Sequence, residues 1–147
     1  MFATLIPLLA DRYHIVAPDY PGFGLSEAPS PAHYVYTFDH IADTVDHLTM
    51  ALGLTSYSLY LQDYGGPVGM RLALAHPERI RAIIIQNAVA SQDGLGPAWN
   101  ARRAFWKDRA AHEAKVISNF LSLAVTKERH LGSSRMRKNP LPGSVPI

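Results

Sequence analysis

Two kinds of apolar spacing alternate along the chain. From Thr37 to Leu52 the residues Phe38, Ile41, Val45, Leu48 and Leu52 recur at intervals of three, four, three and four, the period of one face of an α-helix. Thr37 stands where an N-cap would accept amide protons, Asp39 falls in the first turn, and Gly53 follows as a stop. YSLYLQ (57–62) and IRAIIIQNA (80–88) are instead short, nearly continuous apolar runs, the pattern of parallel strands covered on both faces. YHIVAPD (13–19) is a third run of this kind and predicts a buried strand that passes into the irregular loop YPGFGLSEAPSPAHY. GGPVGMRLALA predicts a helix that His76-Pro77 ends, and ATLIPLLA (3–10) reads as the end of another, with Pro7 tolerated only near its first turn. Strand and helix alternate, so the fold class is α/β with a parallel sheet.

The pattern changes after Ser91. QDGLGPAW reads as a loop, and residues 99–126 are helical in spacing, with Trp99, Phe105, Trp106, Val116, Phe120 and Leu123 available for packing. Periodicity is lost in GSSRMRKNPLPGSVPI. The expected organisation is an α/β core over 1–90, a helical segment over 91–131 and an irregular basic tail over 132–147.

Composition narrows the chemistry. The 147 residues are 48% hydrophobic and 18% charged, enough apolar material for a core. No run of about 18 apolar residues occurs, and MFATLIPLLADR has neither a basic lead nor a small-residue cleavage site. A cytoplasmic location with no membrane span is expected. The absence of cysteine excludes disulfides, thiolate metal sites and a thiol nucleophile. Residues 127–147 carry five Lys/Arg against Glu128, a local +4 that leaves −2 for the rest. No aromatic residue follows Phe120 to stack on bases, so nucleic acid is not an expected partner. His33, His40 and His47 are spaced by seven but fall on or beside the polar side of the 37–52 helix, without a compact set of carboxylates. They read as exposed, with no metal expected. Arg102, Arg103, Lys107 and Arg109 read as a solvated helix face. PGFG follows a predicted strand, but the third glycine of a dinucleotide loop would fall at Glu27. No cofactor is expected.

One junction carries candidate chemistry. In LYLQDYGGPVG, Asp63 ends an apolar run and is followed by two glycines. A carboxylate there is either a cap for the following helix, at the positive end of its dipole, or a nucleophile at the C-terminal edge of a parallel sheet. Gly65 and Gly66 weigh on this choice, because each costs about 1 kcal/mol relative to alanine in a helical turn. A strained strand-turn-helix elbow, whose backbone passes close to its neighbours, is one reason to keep them. Gly69 would let the same helix approach the sheet closely.

LQDYGG resembles the nucleophile elbow of the α/β-hydrolase fold with aspartate in place of serine, as in the haloalkane dehalogenase and epoxide hydrolase branch. APDYPGFGLSE (17–27), ALAHPERIRAIIIQNA (73–88) and GLGPAWNARRAFWKD (94–108) resemble, in the same order, the loop after the preceding strand, the next helix end and strand, and the start of a helical cap. Together the matches cover about residues 1–131. The resemblance implies a partial α/β-hydrolase fold, Asp63 as a nucleophile forming an alkyl ester, and the backbone N–H of Tyr64 as a stabiliser of the developing anion. It implies a small apolar halide, epoxide or similar substrate, and offers Trp99 and Trp106 as pocket walls or simply as cap core.

The chain departs from the family in several places. Tyr64 stands where haloalkane dehalogenases usually have tryptophan, and no tyrosine after it supplies the cap phenols of epoxide hydrolases. His76, His112 and His130 do not resemble the water-activating base. The oxyanion loop, the acid and the histidine are expected outside these 147 residues, the chain being read as a fragment begun at an internal methionine and ended in an altered frame. A catalytically inactive fragment or an interaction module acting through its sheet edges is therefore the alternative to an active hydrolase.

Overall fold

A computed structural model describes residues 2–131. The basic tail 132–147 lies outside the described residues. The chain divides into two compact units, Met1–Gln92 and Asp93–Ile147.

In the first unit the short helix α1 (Leu5–Leu9) precedes an irregular segment and a turn-rich loop. The loop is tied by Asp19, whose carboxylate accepts the Leu25 N–H at 2.9 Å while its carbonyl accepts the Ser26 hydroxyl at 2.7 Å. Helix α2 (Phe38–Ala51) forms as its spacing predicts. The Thr37 hydroxyl accepts the His40 N–H at 3.2 Å, and Gly53 takes φ +66° after the last turn. Strand β1 (Tyr57–Asp63), helix α3 (Gly65–Ala75) and strand β2 (Ile80–Ala88) complete a strand-helix-strand unit in which β1 and β2 pair in parallel. The register is regular from Ser58↔Ala82 to Gln62↔Gln86 and is interrupted on either side.

The core lies where α2 meets α3. Ile41, Ala42 and Val68 are buried together, with Tyr20, Phe38 and Val45 packed around them, and Leu72 and Leu61 are buried as well. At the far end of α3, Asp46 of α2 meets two side chains. Arg79 Nη1 donates to it at 3.0 Å, and His76 Nε2 lies 3.1 Å from its other oxygen.

Two expectations are corrected. Residues 13–19 do not form a strand: Tyr13 lies in a bend, the rest of the run has no regular structure, and the described sheet has only β1 and β2. A parallel strand exists by exchanging hydrogen bonds with a neighbour, and the run has none among the described residues. The apolar runs are also not buried on both faces. Ile83, Ile84 and Ile85 are 38%, 52% and 53% exposed.

The second unit is helical. It contains α4 (Asn100–Lys107), α5 (Arg109–Leu121) and α6 (Leu123–Leu131) rather than one uninterrupted run. Asp108 breaks it, adopting extended backbone and accepting the Ala111 N–H at 3.1 Å as the cap of α5. Ser122 repeats the device, its hydroxyl accepting the Val125 N–H at 3.3 Å. Arg102 and Arg103 are half-buried, not part of a solvated face. Arg102 stacks over the Trp99 ring at 4.4 Å, and Arg103 donates to the Leu95 carbonyl at 2.7 Å.

Candidate active site

The end of β1 is built as an elbow. Asp63 has φ +49°, a left-handed conformation that costs energy for a residue with a Cβ. Tyr64 returns to helical angles as the N-cap of α3 and makes no side-chain cap hydrogen bond. Among the described residues the Asp63 carboxylate has no hydrogen bond and no ion pair, and it is exposed. The cap reading therefore fails in its main requirement, because a capping carboxylate must accept the free amides of the first turn.

The glycines separate into two roles. A Cβ on Gly66 would stand 2.5 Å from the Val89 carbonyl oxygen and 2.9 Å from the Ala88 Cβ, so α3 can lie against the end of β2 only if residue 66 is bare. A Cβ on Gly69 would collide with the Leu61 side chain. Gly65 has no such constraint, since the nearest atom to its Cβ position is the Tyr20 hydroxyl at 4.0 Å. Tyr20 leans on the core below this spot, and burial pushes its phenol up from the ordinary value, which keeps it neutral. The Tyr64 ring meets Phe38 edge-on at 5.4 Å and Phe23 at 6.3 Å, pinning the elbow to α2 and to the preceding loop.

The structure adds a residue that apolar spacing does not mark. Asn87 has φ +47° and is the extra residue of the irregularity where Asp63 pairs with Ala88. Two neighbouring parallel strands thus end, side by side, in left-handed residues. Asparagine after an apolar run was the available signal, because Asn and Asp tolerate this conformation best.

Within the first unit, His76 is not brought to Asp63. His76 sits at the opposite end of α3, about 16 Å away along an 11-residue helix, where it is engaged by Asp46 and by Glu78 at 3.5 Å. Trp99 and Trp106 pack against each other at 6.0 Å within the second unit. His33, His40 and His47 are exposed. Among the described residues no group of three or more His, Asp or Glu is placed to hold a metal, and no helix is long and apolar enough to cross a membrane. Two surface depressions of the first unit lie beside Met50, Gly53 and Arg79 and beside Asp39, Asp46 and His76, and Asp63 lines neither.

The profile of the alpha/beta hydrolase fold matches residues 1–142, and the chain belongs to that family. It is 44% identical over 108 residues to an uncharacterised hydrolase of Saccharomyces cerevisiae, covering 73% of this chain and 37% of the relative. It is 39% identical over 87 residues to haloalkane dehalogenase 2 of Mycobacterium tuberculosis, covering 59% of this chain and 30% of that enzyme. The solved epoxide hydrolase CorEH superposes with a TM-score of 0.63 at 22% identity, over 86% of this chain and 45% of CorEH, a likeness of fold. The chain thus spans about a third of the length of these curated relatives. The family match also runs into the segment past residue 131 that the motif resemblance did not reach.

Proposed function

We propose that Asp63 is the nucleophile of a haloalkane dehalogenase-like or epoxide hydrolase-like hydrolase. The observation that carries this reading is the left-handed Asp63 with its exposed, unpartnered carboxylate at the end of a parallel strand. A carboxylate oxygen attacks a saturated carbon, and its electron pair forms the new C–O bond of an alkyl ester. The leaving group departs with the old bonding pair, as a halide ion or as an epoxide oxygen that then takes a proton from water. The backbone N–H of Tyr64, at the positive end of α3, offers a donor to that developing anion. Water must later attack the ester carbonyl to release an alcohol or a diol. The substrate class is a small apolar halide or epoxide; Trp99 and Trp106 are proposed as pocket walls, and no cofactor takes part in these steps.

A second reading is favoured by one observation. His76, the histidine described in the first unit after Asp63, is engaged at the other end of α3, so it is not the base that would activate water at the ester. On this reading an alkyl-enzyme forms once and does not turn over.

Intact-mass and peptide mass spectrometry after incubation with a 1-haloalkane and an aryl epoxide tests both. An adduct at Asp63, absent in Asp63→Asn, supports the nucleophile. Sustained product release identifies an active hydrolase, accumulation of the adduct alone identifies the inactive form, and no adduct with any substrate refutes the assignment.

A further inference from the structure

Strand β2 carries one residue more than its pairing with β1 requires. From Ser58↔Ala82 to Gln62↔Gln86 the partners keep a constant offset, which the pair Asp63↔Ala88 exceeds by one, so Asn87 is the insertion. Its φ of +47° is the conformation by which a strand absorbs an extra residue, and asparagine adopts it at lower cost than most residues with a Cβ. Such insertions are rare between parallel strands and concentrate beside active sites.

The insertion decides what lies under the first turn of α3. Gly66 has no room for a Cβ because the Val89 carbonyl and the Ala88 Cβ fill that space, and Ala88 and Val89 directly follow Asn87. Were β2 regular to its end, both residues would stand about 3.3 Å further along the strand, and their side chains would exchange faces. The helix would lose its seat. Asp63 lies three positions before Gly66 and is itself left-handed, so a shift of that seat is passed to its carboxylate through a backbone with few alternatives.

We propose that Asn87 is a positioning residue for Asp63, its left-handed backbone inserting the residue that seats α3 and so setting where the carboxylate stands. This role rests on the reading of Asp63 as the nucleophile. Asn87 acts through Ala88, Val89 and Gly66, by its main chain and not by its amide. Position weighs heavily in a bond-forming step, where a misplacement of about 1 Å costs on the order of 10²-fold.

The test is single-turnover formation of the Asp63 adduct in the full 147-residue chain, followed by intact mass over a range of 1-haloalkane and aryl epoxide concentrations. Valine is an outlier at positive φ and suits a regular strand. Asn87→Val is therefore expected to lower the saturating rate constant at least about tenfold while the half-saturating concentration stays unchanged. Asn87→Gly keeps the backbone without the amide and is expected to hold the rate within about threefold of the parent. Asp46→Ala, which breaks the Arg79 and His76 contacts at the opposite end of α3, controls for lost stability and is expected to react like the parent. If circular dichroism shows Asn87→Val unfolded, Asn87→Ala carries the test. A parent chain that forms no adduct refutes the nucleophile, and the role of Asn87 falls with it. An adduct that forms as fast in Asn87→Val as in the parent overturns the role of Asn87 alone. Equal slowing in Asn87→Gly and Asn87→Val assigns the effect to the amide, and equal slowing in Asp46→Ala assigns it to stability; either overturns the proposal.

Discussion

Helix α2 and strand β2 are the two most strongly patterned apolar segments of the first unit, and they fare oppositely. The stripe of α2 finds its partner in α3, burying Ile41 and Ala42 against Val68. The isoleucines of β2 stay exposed, although their run is the more apolar of the two. An amphipathic helix needs cover on one face, which a single neighbouring helix supplies. A strand of a parallel sheet needs two ladder neighbours and two covered faces, all from distant parts of a chain. Apolar periodicity therefore states what a segment requires, and whether the requirement is met depends on the rest of the fold.

Substitutions can break or sharpen this contrast. The end of β2 is tightly packed under Gly66. Gly66→Val is expected to cost more than about 3 kcal/mol, because the obstacle is backbone that cannot move aside. Far-UV circular dichroism in urea would show the folded baseline lost, and a midpoint near that of the parent chain would mean that α3 does not rest on β2. Ile41→Ala should cost about 3 kcal/mol, as truncations of buried isoleucine do. Thr37→Ala removes the acceptor for the His40 amide and should cost about 1 kcal/mol, read as a lower midpoint with an unchanged slope. Asp63→Gly relieves the left-handed backbone and is expected to stabilise the chain by somewhat under about 1 kcal/mol while ending adduct formation. If it destabilises instead, the carboxylate has a structural partner and the nucleophile reading loses its main support. Ile84→Ala should change stability by less than about 0.5 kcal/mol, since the side chain is already half in water. A cost near that of Ile41→Ala would erase the difference between the two segments.

Local features were legible in the sequence. Thr37, Gly53 and the 3-4-3-4 spacing defined α2 to within a residue, and the step from LYLQ to Gly65 defined the β1–α3 elbow. The strand expected at 13–19 failed for a non-local reason: its own residues suit a strand, but pairing is a property of neighbours. The cap at Asp108 was open to recognition, because Asp followed by a helical run is a start signal, yet the aromatic spacing across it suggested continuity. At the site, residue types announced Asp63 and the steric need for Gly66. The convergence of Asn87 on Asp63 depends on the register between two strands, which no single segment encodes.

The left-handed backbone of Asp63 bears on the temperature dependence of the proposed reaction. A residue whose main chain is fixed by a turn, by Gly66 against Val89 and by the Tyr64 ring on Phe38 has only its side-chain rotamers left to order when a substrate arrives. The backbone part of that ordering is completed during folding, so it adds nothing to the activation entropy of the attack step. Loosening the clasp with Phe38→Ala should leave the carboxylate chemically unchanged and make the entropy of activation more negative, a signature that an Eyring plot of adduct formation separates from a loss of reactivity.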